Sequence, residues 1–188
     1  MILAVISHVA HRRHEGRVWA YAPYAAEMRL WAELFGEVVI LAPEAGGPPR
    51  GDEQPIKAEN VRLEPLPRIE GGRGGRLMRF ALAMPRIAAM MRRQMRRADV
   101  VQVRCPGNYG FIGALLAPVF ARRFIAKYAG QWSAYPDEPW SFRLQRKLLG
   151  SRWWRRGGVL AYTHERESPP QVVPFFNSCL LYTSDAAD

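Results

Sequence analysis

Short apolar runs alternate along this chain with longer segments in which apolar residues recur every three or four positions. Seven of the runs have the composition of β-strands: 2–6, 37–41, 61–66, 100–103, 124–127, 159–162 and 172–175. Most are continuously apolar, which is typical of strands covered by helices on both faces. Strands that alternate with helices form βα units on a parallel sheet. The pattern therefore predicts an α/β fold with a doubly wound, mainly parallel sheet.

The segment AAEMRLWAELF is predicted to be a helix, because its apolar residues follow a helical period. Pro23 suits its first turn and Gly36 suits its end. Its buried face is expected to carry Met28, Leu30, Trp31, Leu34 and Phe35.

A second helix is predicted from apolar residues at steps of three and four, with Arg residues on its other side. The apolar positions are Leu77, Phe80, Met84, Ile87, Met91 and Met95. The basic positions are Arg79, Arg86, Arg93 and Arg97. Pro85 is expected to kink this helix or restart it. The Gly-rich and Pro-rich stretches EAGGPPRGDEQPIKAEN and IEGGRGGR are predicted to be surface loops inside the fold.

The aromatic-rich stretch KYAGQWSAYPDEPWSFRLQRKLLGSRWWRR predicts a further helix that begins near Glu138. On that helix Trp140, Leu144 and Leu148 share one face, which is expected to belong to the core. This leaves Trp132, Tyr135 and the pair Trp153-Trp154 as candidate surface aromatics, which could stack on bases or sugars or lie at a lipid interface. A structural role is the favoured interpretation.

Length and composition fit one folded domain, since 188 residues with 48% apolar and 23% charged residues exclude disorder and disulfide scaffolds. Charge is the unusual property, with a net value of +10 that comes mostly from Arg. Such charge suits nucleic acid, an anionic membrane or phosphorylated small molecules equally well. The two cysteines, Cys105 and Cys179, favour a reducing compartment. The apolar start MILAVISH is too short for a signal peptide and is typical of a buried strand.

Three histidines, His8, His11 and His14, follow the first predicted strand at steps of three. A metal site would need them to converge on a helix, whereas this segment is predicted to be a loop and carries two Arg that would repel a cation. A polar loop at the carboxyl edge of the sheet is therefore favoured over a metal site.

Arg104 is a second candidate, because it emerges where a central strand breaks at RCPGNYG and restarts as a helix, with Asn108 as a candidate cap. An Arg and free helix N–H groups beside His8 would suit an anionic or hydroxyl-rich ligand. Pairing of Arg104 with a nearby carboxylate is the equally supported alternative. Cys105 is favoured as a buried thiol over a nucleophile, and Gly107 and Gly110 are interpreted as turn residues. Neither a dinucleotide fingerprint nor a P-loop follows any strand, so no cofactor is predicted.

The stretches ADVVQVRCPGNYG, FIAKYAGQW, EPWSFRLQRKLL and QVVPFFNS resemble the N-terminal half of glycosyltransferase family 4 proteins, which have the two-domain GT-B fold. The resemblance runs from Met1 to about Ser178. It implies a Rossmann-like domain at residues 1–178 that holds the acceptor, facing a C-terminal domain that holds the nucleotide-sugar and that is absent from this chain. It also implies a bacterial-type, cytoplasmic hexosyltransferase that is retaining and independent of metal, with its catalytic residues mainly in the other half.

By this resemblance, side chains at the strand ends are expected to line the cleft: His8, Arg104, Lys127, Gln131 and Asn177. The candidate set for the cleft and acceptor also includes Gly16, Arg17, Asn108 and Trp132. The sequence departs from the family in having HEGR at 14–17 in place of a Gly-Gly pair after the first strand. The last ten residues, CLLYTSDAAD, carry no basic residue and resemble adapter read-through, so 179–188 is interpreted as a non-native tail.

The function expected from the sequence is transfer of a sugar from a nucleotide-sugar donor to a hydroxyl of a glycan, lipid-linked or small-molecule acceptor, by an enzyme of which this is one half. Peripheral contact with the inner face of the cell membrane is compatible with that function. The alternative is a basic, non-catalytic domain that binds RNA or anionic lipid, with nucleic acid the less favoured partner.

Overall fold

The computed structural model of the protein describes residues 1–68, 73–163 and 168–175; for 73–77 and 80 it describes the backbone alone. Within these residues the chain forms two regular sheets and four α-helices. The strands are β1 (Ile2–Ile6), β2 (Arg12–His14), β3 (Arg17–Tyr21), β4 (Glu37–Pro43), β5 (Glu53–Pro55), β6 (Val61–Leu66), β7 (Val100–Cys105), β8 (Phe124–Gln131), β9 (Gly158–Tyr162) and β10 (Val172–Pro174). The helices are α1 (Ala22–Leu34), α2 (Arg73–Arg97), α3 (Asn108–Phe120), α4 (Trp140–Gly150) and a 3₁₀ turn at Arg152–Trp154.

The seven predicted strands are confirmed and form one parallel sheet in the order β10-β9-β8-β7-β1-β4-β6. The central strand β1 is in register with β4 on one side and β7 on the other, where Leu3 lies opposite Val38 and Val100. Residues 3–6 are fully buried, as continuous apolar strands between two helix layers must be. The fold is therefore α/β and Rossmann-like, as the alternation of strands and helices predicted.

Helices cover both faces of this sheet. On one face α1 packs over Leu3, Val5, Val38 and Ile40. The opposite face is covered by α2, α3 and α4, and α3 contacts both of the other two. Because α1 and the three later helices lie on opposite faces, the sheet is doubly wound.

A small antiparallel sheet in the order β2-β3-β5 was not predicted, and the interpretation of SHVAHRRHEG as a loop is wrong for 12–14. All three strands are short, and two of them, RRH and EQP, are polar, so they lack the apolar runs that mark the main sheet. The β2–β3 turn places Glu15 at φ 50° and Gly16 at φ 71°, the backbone that a tight hairpin requires. The buried Arg12 anchors this hairpin, because its Nε lies 2.9 Å from Oε2 of Glu53 on β5.

Helix α1 begins with Pro at its first turn, as predicted, but its exposed side was misassigned. Leu30 and Leu34 are exposed. The residues that face the sheet are Tyr24, Ala25, Met28 and Ala32. Met28 is buried as predicted, but two of the four residues of this face are alanines, which periodicity in large apolar residues does not reveal.

Helix α2 follows the predicted pattern over its second half, where Ile87, Met91 and Met95 are fully buried and Arg93 is exposed. The helix continues through Pro85. It also begins at Arg73, so the prediction of a loop is wrong for 73–76, while 69–72 lie outside the described residues, as do the Leu77 and Phe80 side chains.

The predicted core face of α4 is wrong for Trp140 and Leu144, whereas Leu148 packs against the core as predicted. Trp140 is 78% exposed and Leu144 is 43% exposed, whereas Gln145 and Leu149 are buried. Two tryptophans that were candidates for the surface, Trp132 and Trp154, are buried.

Charge is distributed unevenly along the chain. Residues 1–72 contain eight Lys and Arg against ten Asp and Glu, whereas residues 73–163 contain 18 against three. Twelve of these 18 cations belong to α2, α4 and the 3₁₀ turn, so the helix layer that includes α3 is strongly basic. Among the described residues, no helix is long and apolar enough to cross a membrane.

Candidate functional site

The candidate site lies where the strand order of the main sheet reverses. From β1 the chain proceeds through β4 to β6 on one side, and from β7 through β8 and β9 to β10 on the other. The loops after β1 and β7 therefore leave the sheet in different directions at its carboxyl edge, which is where ligands bind in open α/β sheets.

The loop after β1 is held by backbone bonds to its neighbour. Ser7 is buried, and its N–H donates to the Leu41 carbonyl at 3.0 Å, while its hydroxyl accepts from Val9 N at 3.1 Å. His11 forms a bridge with Glu44, so the loop runs on beside the end of β4 before the hairpin begins. His8 projects from this supported loop with an exposed side chain.

The loops after β1 and β7 touch each other at His8 and Gly107. A Cβ atom built on Gly107 would lie only 2.7 Å from Nδ1 of His8, so any side chain at 107 would collide with the imidazole. Desolvation, together with the nearby Arg104 cation, lowers the pKa of His8. The structure thus brings His8 and Arg104 to the same rim, as predicted, and favours a neutral imidazole there.

Two glycines of α3 bring the helix onto the end of β7. A Cβ on Gly110 would lie 2.1 Å from the Arg104 carbonyl oxygen, and one on Gly113 would lie 3.1 Å from Val103 Cγ1. The interpretation of Gly110 as a turn residue is wrong, because it lies inside α3 and its role is close approach of helix to strand.

Arg104 is paired with a carboxylate, the alternative that the sequence left open. Its Nη1 lies 2.7 Å from Oε2 of Glu27, and its guanidinium stacks over the Tyr24 ring with Cζ 4.7 Å from the ring centroid. The same Glu27 oxygen lies 2.9 Å from Nζ of Lys127. The Arg104 and Lys127 side chains are only 12% and 4% exposed. Glu27 of α1 therefore forms ion pairs with two neighbouring strands, β7 and β8, near their carboxyl ends.

Glu27 is ionised in this arrangement. Burial opposes its charge, but the two cations outweigh that effect and hold its pKa below the usual carboxyl value. Sequence reasoning missed this residue, because a single Glu in a helix is typical of a solvated face. The only available signal was its place between Tyr24 and Met28, two residues of the buried stripe.

His11 is the second polar residue that the fold buries at this rim. Its Nδ1 lies 2.8 Å from the Val9 carbonyl oxygen, and its ring meets the Tyr24 ring edge-on at 5.1 Å between centroids. Desolvation is the main reason that its pKa falls to about 4. Within the described part of the chain its Nε2 has no hydrogen-bond partner. A neutral tautomer that donates from Nδ1 fits this environment.

Cys105 does not have the properties of a nucleophile. The thiol is fully buried, and desolvation raises its pKa to about 12. A thiolate is the reactive form, so this cysteine is inert at neutral pH.

The remaining rim candidates have different surroundings. Asn108, the first residue of α3, and Gln131, the last residue of β8, are both exposed. Gly107 precedes α3, and its N–H donates to Oε1 of Gln145 at 2.9 Å, so one donor at this helix start is occupied. Trp132 is buried against Tyr128 with ring centroids 5.4 Å apart, which makes it a core residue. Asn177 lies outside the described residues.

Gly16 and Arg17 lie away from this rim, on the β2–β3 hairpin. They line a pocket of about 760 Å³ together with Lys57, Glu59 and Val61. Val61 is the first residue of β6, so this pocket lies beside the amino end of an edge strand. The rim is the better candidate, because ligands in open α/β sheets bind at the carboxyl edge where the strand order reverses, and His8 and Gly107 lie there.

The three histidines do not converge. His8 is at the rim, His11 is buried against Tyr24, and His14 is on the hairpin, 3.7 Å from Glu15. In residues 1–68, 73–163 and 168–175 no group of three His, Cys, Asp or Glu side chains could hold a metal ion.

No protein-family model matches this sequence, and no curated protein matches it. The site is therefore interpreted from its geometry and chemistry.

Proposed function

We propose that this chain is the acceptor-side domain of a glycosyltransferase that moves a sugar from a nucleotide-sugar to an acceptor hydroxyl. The observation that carries the proposal is the strand-order reversal between β1 and β7, which brings His8, Arg104 and the start of α3 to one open rim. The resemblance of residues 1–178 to family 4 glycosyltransferases supplies the reaction class.

In this proposal the rim residues divide into two roles. His8 is exposed and neutral, so it exchanges hydrogen bonds with an acceptor hydroxyl. Asn108, which follows Gly107, and Gln131, at the end of β8, offer exposed amides. Arg104 and Lys127 are occupied by Glu27 and serve to hold the strand ends rigid. Rigid support for the groups that touch substrate is a requirement of any accurate site.

Transfer itself needs a second lobe. The diphosphate that leaves the sugar must be met by preorganised charge, and the donor half of such an enzyme provides it. The chain by itself is therefore expected to bind acceptor without transferring sugar. Glycans, lipid-linked sugars and small polyols are the acceptor classes compatible with a hydroxyl-binding rim, and the cytoplasm is the compartment that supplies nucleotide-sugars.

The direct test is an assay of the coding sequence extended downstream, with a panel of nucleotide-sugars and the three acceptor classes. The expected result is nucleotide release that depends on an acceptor. His8→Ala should lower kcat/KM for the acceptor, whereas His14→Ala on the hairpin should leave it unchanged. Failure of every donor to release nucleotide would contradict the proposal.

The basic helix layer favours a second candidate, a non-catalytic domain that binds an anionic polymer or surface. Titration with RNA at increasing salt separates the two functions. An RNA-binding domain loses affinity steeply between low and physiological salt, because each phosphate contact releases counterions. Acceptor binding at the rim should change little over the same range.

A further inference from the structure

We propose that the outer surface of α4 docks this protein on a membrane that contains anionic lipid. This surface, called the α4 surface, consists of Trp140, Arg143, Leu144 and Lys147 on the helix and Trp153 on the 3₁₀ turn that follows. The proposal is independent of sugar transfer, because it concerns the helix layer and not the rim.

The four helical residues share one face of α4. They are spaced at i, i+3, i+4 and i+7, which places them along one stripe of a helix. The opposite stripe, with Gln145 and Leu149, is buried against the domain. Trp140 and Leu144 are among the large apolar side chains that the described fold leaves in solvent, and Trp153 is 50% exposed. The helix is therefore fixed by its inner face and presents a Trp and a Leu outward.

The segment that carries these residues has charges of one sign. Residues 140–156 contain six Lys and Arg and no Asp or Glu. Of the two acids that precede the helix, Asp137 is exposed, while Glu138 is buried with its carboxylate 2.8 Å from Arg146 and 3.6 Å from Arg143. Lys147, Arg152, Arg155 and Arg156 are exposed. Exposed cations of one sign attract anionic lipid headgroups, each with an energy that falls off within a Debye length.

The mixture of side chains favours lipid over nucleic acid. Single-stranded RNA and DNA gain from flat aromatic rings on which bases stack, whereas an aliphatic side chain offers no such platform. Leu144, with the exposed Leu115 and Val119 of the neighbouring α3, gains instead by leaving water for acyl chains. Trp prefers the boundary between headgroups and acyl chains, and long basic side chains reach back to the phosphates. The α4 surface combines all three kinds of side chain.

The first experiment is co-sedimentation of the full chain with vesicles of phosphatidylcholine alone or mixed with phosphatidylglycerol. Binding is expected only with phosphatidylglycerol, stronger at low than at physiological salt. The variant Trp140→Ser/Leu144→Ser should weaken it about tenfold or more, because both apolar anchors are lost. The matched control is Leu30→Ser/Leu34→Ser, which removes an exposed pair at the same spacing from α1, on the other side of the sheet. This control should bind like the unchanged protein.

Two charge-reversal variants provide the second comparison. Lys147→Glu should weaken vesicle binding about fivefold or more at low salt, because a cation that anionic lipid attracts is replaced by a carboxylate that it repels. Lys57→Glu, an exposed lysine outside the helix layer, should have a much smaller effect. Far-UV circular dichroism of all four variants establishes that each is folded.

Three results would overturn the proposal. They are no binding to phosphatidylglycerol vesicles at low salt, equal losses in the α1 and α4 double variants, and RNA binding that depends on Trp140 and Lys147 while vesicle binding does not. None of these bears on nucleotide-sugar turnover, so the proposed transfer activity stands or falls separately.

Discussion

Glu27 is the residue on which the arrangement of the rim depends most. One carboxylate oxygen meets Arg104 and Lys127 at 2.7 and 2.9 Å, and all three side chains are largely removed from water. Buried charges are tolerated only when they are paired, because desolvation of a lone ion is costly. The same contact that aligns the ends of β7 and β8 is therefore also a point of vulnerability.

We expect Glu27→Gln to destabilise the protein by about 3–5 kcal/mol, because two cations are then left buried without their counterion. The measurement is urea unfolding followed by circular dichroism. Glu33→Gln, at an exposed position of the same helix, should stay within about 0.5 kcal/mol of the unchanged protein. Equal stabilities of the two variants would show that the cations find other partners.

Protonation of His11 should make stability depend on pH. Its pKa is about 4 in the folded protein and about 6.5 when unfolded, so the unfolded chain takes up the proton first. Stability is therefore expected to fall as the pH drops from about 6.5 towards about 4, by about 2 kcal/mol between pH 7 and pH 5. The lowered pKa of Glu27 has its effect only below the ordinary carboxyl range, so it does not account for this window.

The test is urea unfolding at both pH values for His11→Asn, which keeps a donor for the Val9 carbonyl but does not titrate. The pH dependence should become shallower, with a remainder from His8, whose pKa is lowered in the same direction. If the free energy of unfolding of His11→Asn depended on pH as steeply as that of the unchanged protein, the pH dependence would not come from His11.

Individual side chains were the hardest to predict from the sequence. His8 and Arg104 were placed at one rim correctly, because the ends of neighbouring parallel strands must meet at the same edge. The partner Glu27 was not found, since its pairing joins residues 77 and 100 positions apart and only the fold brings them together. Gly16 and Arg17 were assigned to the cleft by resemblance. The unpredicted β2–β3 hairpin places them instead in the pocket that Lys57, Glu59 and Val61 also line.

At the scale of elements, α3 shows how closely a helix can approach a strand. Gly110 and Gly113 face β7 and β1 directly, and the space that a side chain would occupy is filled by the Arg104 backbone, Val103 and Ile6. The Arg104 carbonyl is thus in contact with α3, the helix whose first residues belong to the rim. Any displacement of α3 would move the rim with it.

Gly110→Ala is expected to destabilise the protein by about 2 kcal/mol or more, because the added methyl meets backbone at 2.1 Å. Intrinsic helix propensity predicts the opposite sign, a gain of about 1 kcal/mol. The matched variant is Gly150→Ala in α4, where the nearest atom to the added methyl is Pro169 Cγ at an ordinary 3.5 Å. Thermal unfolding of both should show a loss for the first and no comparable loss for the second.

Two adjacent tryptophans offer a sharp test of the packing of the 3₁₀ turn. Trp154 is fully buried, its Nε1 donates to the Ala114 carbonyl at 2.9 Å, and its ring packs edge-on against Phe124. Trp154→Ala is expected to cost about 3–5 kcal/mol. Trp153→Ala, at the half-exposed neighbour, should cost far less, about 1 kcal/mol or below. Denaturant midpoints that move equally would contradict the assigned orientation.

The starts of the main-sheet strands could be predicted within one residue, because a short apolar run between helices has few other uses. The ends of β4, β7 and β8 lie two to four residues beyond the predicted ones. The β2-β3-β5 sheet could not, since RRH and EQP carry no apolar signal and the hairpin exists through Arg12 and its partner Glu53. On α4 the apolar stripe of Trp140 and Leu144 was assigned to the core, yet it faces solvent. Periodicity identifies a stripe but does not state which surface it meets.

For the molecule as a whole, the centre of the main sheet should be the most stable region. Strand β1 is paired on both sides and its residues 3–6 are fully buried, whereas β2 and β3 carry exposed residues and short pairings. Amide hydrogen exchange is expected to be slowest in β1, β4 and β7 and markedly faster in the hairpin. Equal protection of β2 and β1 would show that the two sheets open together.

The division of charge between the two parts of the chain has a mechanical consequence. With the cations gathered in the helix layer of α2, α3 and α4, the protein is a permanent electric dipole whose positive pole points away from α1. A negatively charged surface exerts a torque on such a body and turns it before contact. In that orientation the main sheet is parallel to the charged surface, and its carboxyl rim faces along the surface. A substrate confined to the surface would reach the rim by sliding in laterally, without ever leaving the plane.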